Sequence, residues 1–98
     1  MKIHLNKTYN KAEGIVTRDI AGETLLVPIH DQLADMQRIF SVGSVSEYIW
    51  NELDGEKKLY GIRDGILENY SIKKETADLD LMEFIAELID AGLVIETV

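Results

Sequence analysis

The 98-residue sequence predicts an α+β domain in which a three-stranded antiparallel β-meander is followed by three helices. Three observations predict it. Short runs rich in β-branched residues, broken by Gly and Pro, fill the first 42 positions. After Gly43 the apolar residues recur at helical spacing. Between the two regimes, the stretch RIFSVGSVSEYIWNELDG at 38–55 runs from an alternating strand through a small turn into a helix.

A chain of this length with 46% hydrophobic residues is expected to form one domain with one core, spanning 1–98, with 1–13 as an amino-terminal arm or loosely held strand. Cysteine is absent, which excludes disulfides and thiolate metal sites and makes a cytoplasmic location the expectation. The start, MKIHLNKTYN, has no apolar run of signal-peptide length, and no membrane partner is expected. The net charge of −8 lies wholly in the helical half: residues 1–42 hold five Lys/Arg against five Asp/Glu, and residues 43–98 hold five against thirteen. That half should repel phosphate backbones.

Taken in order, residues 1–13 show apolar groups without a sustained period. Gly14 opens IVTRDI, and Ala21-Gly22 separates it from ETLLVPI, which reads as a hairpin with a short turn. Pro28 ends the second strand or marks an edge, and His30, Asp31, Gln32 and Ala34 read as a loop. The third strand is expected over 36–42, with Met36, Arg38, Phe40 and Val42 on one side and Gln37, Ile39 and Ser41 on the other. As the last strand of a meander it keeps an unpaired edge, either shielded by a loop or open to a partner strand.

Ser44 and Glu47 have the S-x-x-E spacing of a capping box, and Val45, Tyr48, Ile49 and Leu53 follow at helical spacing up to Gly55. Leu59, Ile62, Ile66 and Tyr70 define a second helix despite Gly61 and Gly65, which cost it stability. Those two glycines fit either a close approach of another backbone or an indifferent surface. Thr76 is the expected cap of the third helix, 77–91. There Leu81, Ile85 and Leu88 form a core stripe, extended one way by Leu79, Met82, Ala86 and Ile89 and the other by Phe84 and Ala91. The apolar arc covers about two thirds of the circumference, more than a surface helix needs, so something further should cover one flank. Gly92 ends the helix, and LVIETV is a terminal strand or extended tail. Three short helices with a sheet beside them make a winged helix-turn-helix arrangement.

No catalytic constellation is present in the sequence. His4 and His30 have no carboxylate or thiol at ligand spacing, GIRDG lies inside a helical pattern and lacks the Lys-Ser/Thr of a phosphate loop, and no cofactor is expected. A DNA-reading role fits the order of elements but not the chemistry, because the third helix carries Asp78, Asp80, Glu83, Glu87 and Asp90 and no Lys or Arg.

ETLLVPI, the I-W-x-x-L-D-G block at 49–55, the helix ending in Tyr70 and DLMEFIAELIDAGLV together resemble the family of PQQ-synthesis protein D over about 14–95. Ser41-Val42-Gly43 stands where many members have Leu-Asn before the first helix. The resemblance implies a non-catalytic recognition element for ribosomally made, post-translationally modified peptides. Such an element binds the leader of a precursor peptide and presents it to a modifying enzyme such as a radical-SAM maturase or a protease. It also implies that the leader adds as an antiparallel strand to the third strand, beside the third helix. Met36, Gln37, Arg38, Ile39, Phe40, Ser41 and Val42 are then the expected docking edge, and Met82, Ile85 and Ile89 the expected helical wall. The competing readings are a winged-helix DNA-binding regulator and a structural or dimerisation module, in which the same edge pairs two copies as a homodimer.

Overall fold

The computed structural model describes residues 3–30, 33–34 and 39–97. The order of elements is β1 (Thr8–Lys11), β2 (Ile15–Ile20), β3 (Glu23–His30), β4 (Leu33–Ala34), β5 (Phe40–Val42), α1 (Ser44–Glu52), α2 (Leu59–Asn69), α3 (Lys74–Asp90) and β6 (Val94–Thr97). The architecture is the expected α+β one, a three-stranded antiparallel sheet followed by three helices.

In that sheet β3 is central. Along one edge it pairs with β2, from Ile15↔Pro28 to Ile20↔Glu23, across a two-residue turn in which Ala21 and Gly22 both take positive φ. That turn geometry suits the right-handed twist of a hairpin. Along its other edge β3 pairs with β4 at Ile29↔Ala34 and His30↔Leu33, and then with β5 from Leu26↔Phe40 to Thr24↔Val42. The third strand of the meander is therefore built from two short pieces. Of the residues expected in a loop, Ala34 belongs to this strand and His30 to β3, and Asp31 and Gln32 lie outside the described residues.

Pro28 neither ends β3 nor lies on an edge strand, and hydrogen-bond parity explains how it is tolerated. The Ile29 N–H donates to the Gly14 carbonyl at 2.7 Å, so Ile29, Val27 and Leu25 turn their backbone groups toward β2 while Pro28, Leu26 and Thr24 face the third strand. Between Ile29↔Ala34 and Leu26↔Phe40, β3 has two residues, Val27 and Pro28, against five in the returning chain, 35–39. The donorless residue thus sits where the register between β3 and the third strand shifts.

The arm and the tail pair with each other. β1 and β6 form a separate antiparallel ribbon, Thr8↔Thr97 to Lys11↔Val94. The ribbon is fastened to the α1–α2 connection: the Gly55 N–H donates to the Tyr9 carbonyl, the Leu59 N–H to Lys7 and the Tyr60 N–H to Leu5, while Lys11 Nζ donates to the Leu53 carbonyl. Tyr9 is 1% exposed and belongs to the core. The arm is an integral strand, not a loose one.

Helix ends follow local chemistry with three corrections. At the end of α3 the Gly92 N–H donates to Ile89 and the Leu93 N–H to Leu88, with Gly92 at φ 78°, a Schellman closure. The helix itself begins at Lys74, so Thr76 lies inside its first turn and does not cap it. Helix α1 ends at Glu52, and Gly55, at φ 81°, shapes the loop beyond. At its start Gly43 is the N-cap and makes no side-chain cap bond; Glu47 reaches Thr24 instead. None of the described helices is long and apolar enough to cross a membrane.

Candidate functional site

Two adjacent features make the site: the outer edge of β5, and a groove that begins at the first turn of α1. The Phe40 and Val42 backbones carry the bonds to β3, because their partners Leu26 and Thr24 face that edge. Ser41 alternates outward, so its N–H and C=O point away from the sheet. Among the described residues no strand pairs with that outer edge. The Ser41 hydroxyl is exposed and donates to Glu23 Oε1 at 2.9 Å, while Phe40 and Val42 pack against the core from the helix-facing side.

Immediately after β5 the chain enters α1, which is held at its first turns from two sides. From the sheet, the buried Thr24 hydroxyl lies 2.8 Å from Glu47 Oε2. From the end of α2, the Tyr70 hydroxyl donates to the Ser44 carbonyl at 3.3 Å, and the Tyr70 ring meets Tyr48 edge-to-face with centroids 5.9 Å apart. Burial pushes the Tyr48 phenol above its usual pKa, and the carboxylate of Glu52 adds to that.

Between α1 and α3 lies a groove of about 220 Å³, lined by Val45, Ser46 and Ile49 on one side and Asp80, Glu83, Phe84 and Glu87 on the other. Ile49 and Phe84, the latter 8% exposed, form its floor, and the three carboxyl-bearing residues stand exposed along its rim. Positions 80, 83, 84 and 87 fall on one flank of the helix by the 3.6-residue repeat.

The expected helical wall lies on the other side. Asp78, Met82, Ile85 and Ile89 share the opposite flank, where Arg63 Nη1 of α2 donates to Asp78 Oδ1 at 3.0 Å. Ile85 is fully enclosed in the core, so it supports this region without presenting a surface, and Met82 and Ile89 are half-buried. Of the expected docking edge, Phe40, Ser41 and Val42 form β5 and Ile39 precedes it, whereas Met36, Gln37 and Arg38 lie outside the described residues. Phe84 and the carboxylates around it, read from sequence as one margin of the apolar arc and as an acidic face, were not among the residues expected to form the wall. Helical periodicity marks Phe84 as a margin of the apolar arc but does not say which neighbouring helix lies against that margin.

Among the described residues no group of three or more His, Cys, Asp and Glu is placed to hold a metal ion. His4 is exposed; the His30 side chain lies outside the description. The arrangement offers backbone hydrogen bonds, an apolar trough and negative charge, which are means of binding an extended chain.

Comparison with known proteins agrees with this architecture. A solved structure described as TbiB1 in complex with the TbiA(beta) leader peptide superposes with a TM-score of 0.67 at 26% sequence identity, covering 87% of this chain and 93% of that one. No curated protein matches the sequence. The family model for coenzyme PQQ synthesis protein D (PqqD) matches residues 23–94, from the first residue of β3 to the first of β6, and the chain belongs to that family.

Proposed function

We propose that this protein is a non-catalytic recognition element that takes the leader of a ribosomally made precursor peptide as an added strand on the outer edge of β5 and presents the remainder to a modifying enzyme, a radical-SAM maturase or a protease. The observation that carries the reading is the open edge of the sheet. Thr8–Lys11 and Val94–Thr97 pair with each other in the β1–β6 ribbon and not with β5. The outer edge of β5 is left without a partner strand among the described residues. Membership of the PqqD family and likeness to a structure that holds a leader peptide support the same reading.

In the proposed mode the outward N–H and C=O of Ser41, continued by 36–39, bond to the guest backbone and give affinity that tolerates sequence. Side chains of the guest enter the trough over Ile49 and Phe84, with Val45 at its lip, and give selectivity. Ile85 and Ile89 contribute from behind by packing α3 onto the core. Ordering a disordered leader costs about 2 to 5 kcal/mol, so binding of useful strength requires filled side-chain subsites as well as the strand ladder. A DNA-reading role is disfavoured by the exposed Asp80, Glu83 and Glu87 on the helix that would enter the groove of a duplex.

The test is amide-shift mapping of the isotopically labelled protein titrated with the leader half of a short precursor encoded beside its gene. Changes are expected at 39–43, in the first turn of α1 and at 80–87. Changes confined to the outer edge of β2 or to the β1–β6 ribbon would overturn the proposal.

A further inference from the structure

The trough between α1 and α3 is apolar at its floor and negative at its rim, and this combination selects a guest chemistry. Asp80, Glu83 and Glu87 all line it, and among the described residues no Lys or Arg stands within ion-pair distance of them. Three of the five cations of the helical half are engaged elsewhere, and Lys73 and Lys74, at the start of α3, make no ion pair among the described residues. Lys57 pairs with Glu52 and Asp54, Arg63 with Asp64 and Asp78, and Lys58 stacks over Tyr60. Asp78, one turn from the trough on the opposite flank, shows what an internally neutralised carboxylate of α3 looks like. The rim has no such partner within the described fold.

Resting on the peptide-binding reading above, we infer that the trough takes a basic–apolar–basic segment of the guest, with the apolar side chain seated over Ile49 and Phe84 and the flanking Lys or Arg side chains paired with Asp80, Glu83 and Glu87. The dimensions agree. From 80 to 87 the helix advances roughly 10 Å at 1.5 Å per residue. An extended chain covers that length in about three residues at 3.3 Å each. Two cations flanking one apolar residue stand two steps, about 7 Å, apart, and their long side chains reach over the rest of the rim. Long basic side chains also lay their methylene stems along apolar surface while the charged ends reach the carboxylates, so both parts of the trough are used by one residue type.

The probe is a set of three fluorescein-labelled dodecapeptides that share a Thr/Val-rich strand-forming half and differ only in a Lys-Leu-Lys, Ser-Leu-Ser or Glu-Leu-Glu segment. Anisotropy titrations at low salt should rank them Lys over Ser over Glu, with about tenfold between the first two, the size expected of two or three exposed ion pairs. The gap should close as salt rises. Neutralising the rim with Asp80→Asn, Glu83→Gln and Glu87→Gln should abolish the preference, bringing the Lys-Leu-Lys and Ser-Leu-Ser peptides to within about twofold of each other. A control carrying Glu56→Gln, Glu68→Gln and Glu96→Gln, equal in charge and distant from the trough, should keep the preference. Equal affinity for all three peptides in the native protein, or equal loss in both variants, would overturn the inference and leave strand addition standing. Failure of every peptide to bind would overturn both.

Discussion

The Thr24 hydroxyl lies 2.8 Å from Glu47 Oε2 and 2.9 Å from Asp19 Oδ1, so one buried donor on the central strand faces two carboxylates. A hydroxyl has one proton to give, and it serves one acceptor at a time. The Glu47 side chain, whose spacing from Ser44 is that of a capping box, has been drawn away from the helix start to the sheet. It ties the first turn of α1 to β3 and so sets the position of the groove wall relative to the β5 edge.

Replacing Thr24 by Val keeps the shape and removes the donor, leaving half-buried Glu47 without its sheet partner. The expected loss is about 1 to 3 kcal/mol, read from urea midpoints. Glu47→Ala leaves Thr24 free to donate to Asp19 and should cost less, under about 1 kcal/mol. Equal costs would show that the tie is not what holds the helix start.

The two glycines of α2 should respond with opposite signs. A Cβ on Gly65 would overlap the Tyr48 hydroxyl, whereas one on Gly61 would meet nothing within 4 Å. Gly61→Ala is expected to stabilise by up to about 1 kcal/mol through helix propensity. Gly65→Ala must push Tyr48 off its edge-to-face contact with Tyr70, and a net loss of about 1 to 2 kcal/mol is expected. Combining Gly65→Ala with Tyr48→Ala should recover part of the propensity gain relative to Tyr48→Ala alone. Thermal midpoints of the four variants decide it.

These glycines also show what was legible in the sequence. Gly92 and the Ala21-Gly22 turn could be read locally, because a positive φ is a property of the residue and its neighbours. The helical periods of 59–69 and 77–90 were legible for the same reason, whereas the start of α3 at Lys74 was not. For Gly65 a close approach and an indifferent surface were both open readings, since what decides between them is a tyrosine arriving from another helix. The same holds for Glu47, whose partner is 23 positions away, and for Tyr9, buried by a tail 87 residues further on. In the candidate site the strand edge at 40–42 followed from the alternation. The choice between the Met82 and Phe84 flanks of α3 did not, because an arc that is apolar on both margins carries no mark of which margin α1 will cover.

Strand addition at β5 makes a directional prediction about proline. Because Ser41 turns its N–H outward, Ser41→Pro removes a donor that the sheet does not use and leaves the Phe40 and Val42 bonds to β3 in place. Affinity for the leader should fall at least tenfold with the thermal midpoint nearly unchanged. Thr17→Pro is the matched control, since Thr17 turns its N–H outward on the opposite edge of the sheet. It should leave affinity intact. Loss of binding in Thr17→Pro with retention in Ser41→Pro would move the docking edge to β2.

The loop that follows α1 carries a pH signature of its own. Asp54 Oδ1 accepts the backbone N–H groups of Lys57 and Glu56, each at 2.9 Å, and these bonds hold its carboxyl below the usual range; Lys57 Nζ, 3.9 Å away, adds to the effect. A carboxyl whose folded pKa is lowered stabilises fully above its unfolded value, near 4, and loses that contribution as the pH falls through the folded one. Asp54→Asn keeps an acceptor oxygen and removes the charge. The native protein should therefore exceed the variant in thermal midpoint at pH 7, and the gap should shrink as pH drops below about 4 and vanish once the native carboxyl is protonated. The other carboxyl groups titrate in both proteins and cancel in the difference. A gap that stays constant from pH 7 to pH 2 would mean that the turn depends on the shape of the side chain and not on its charge.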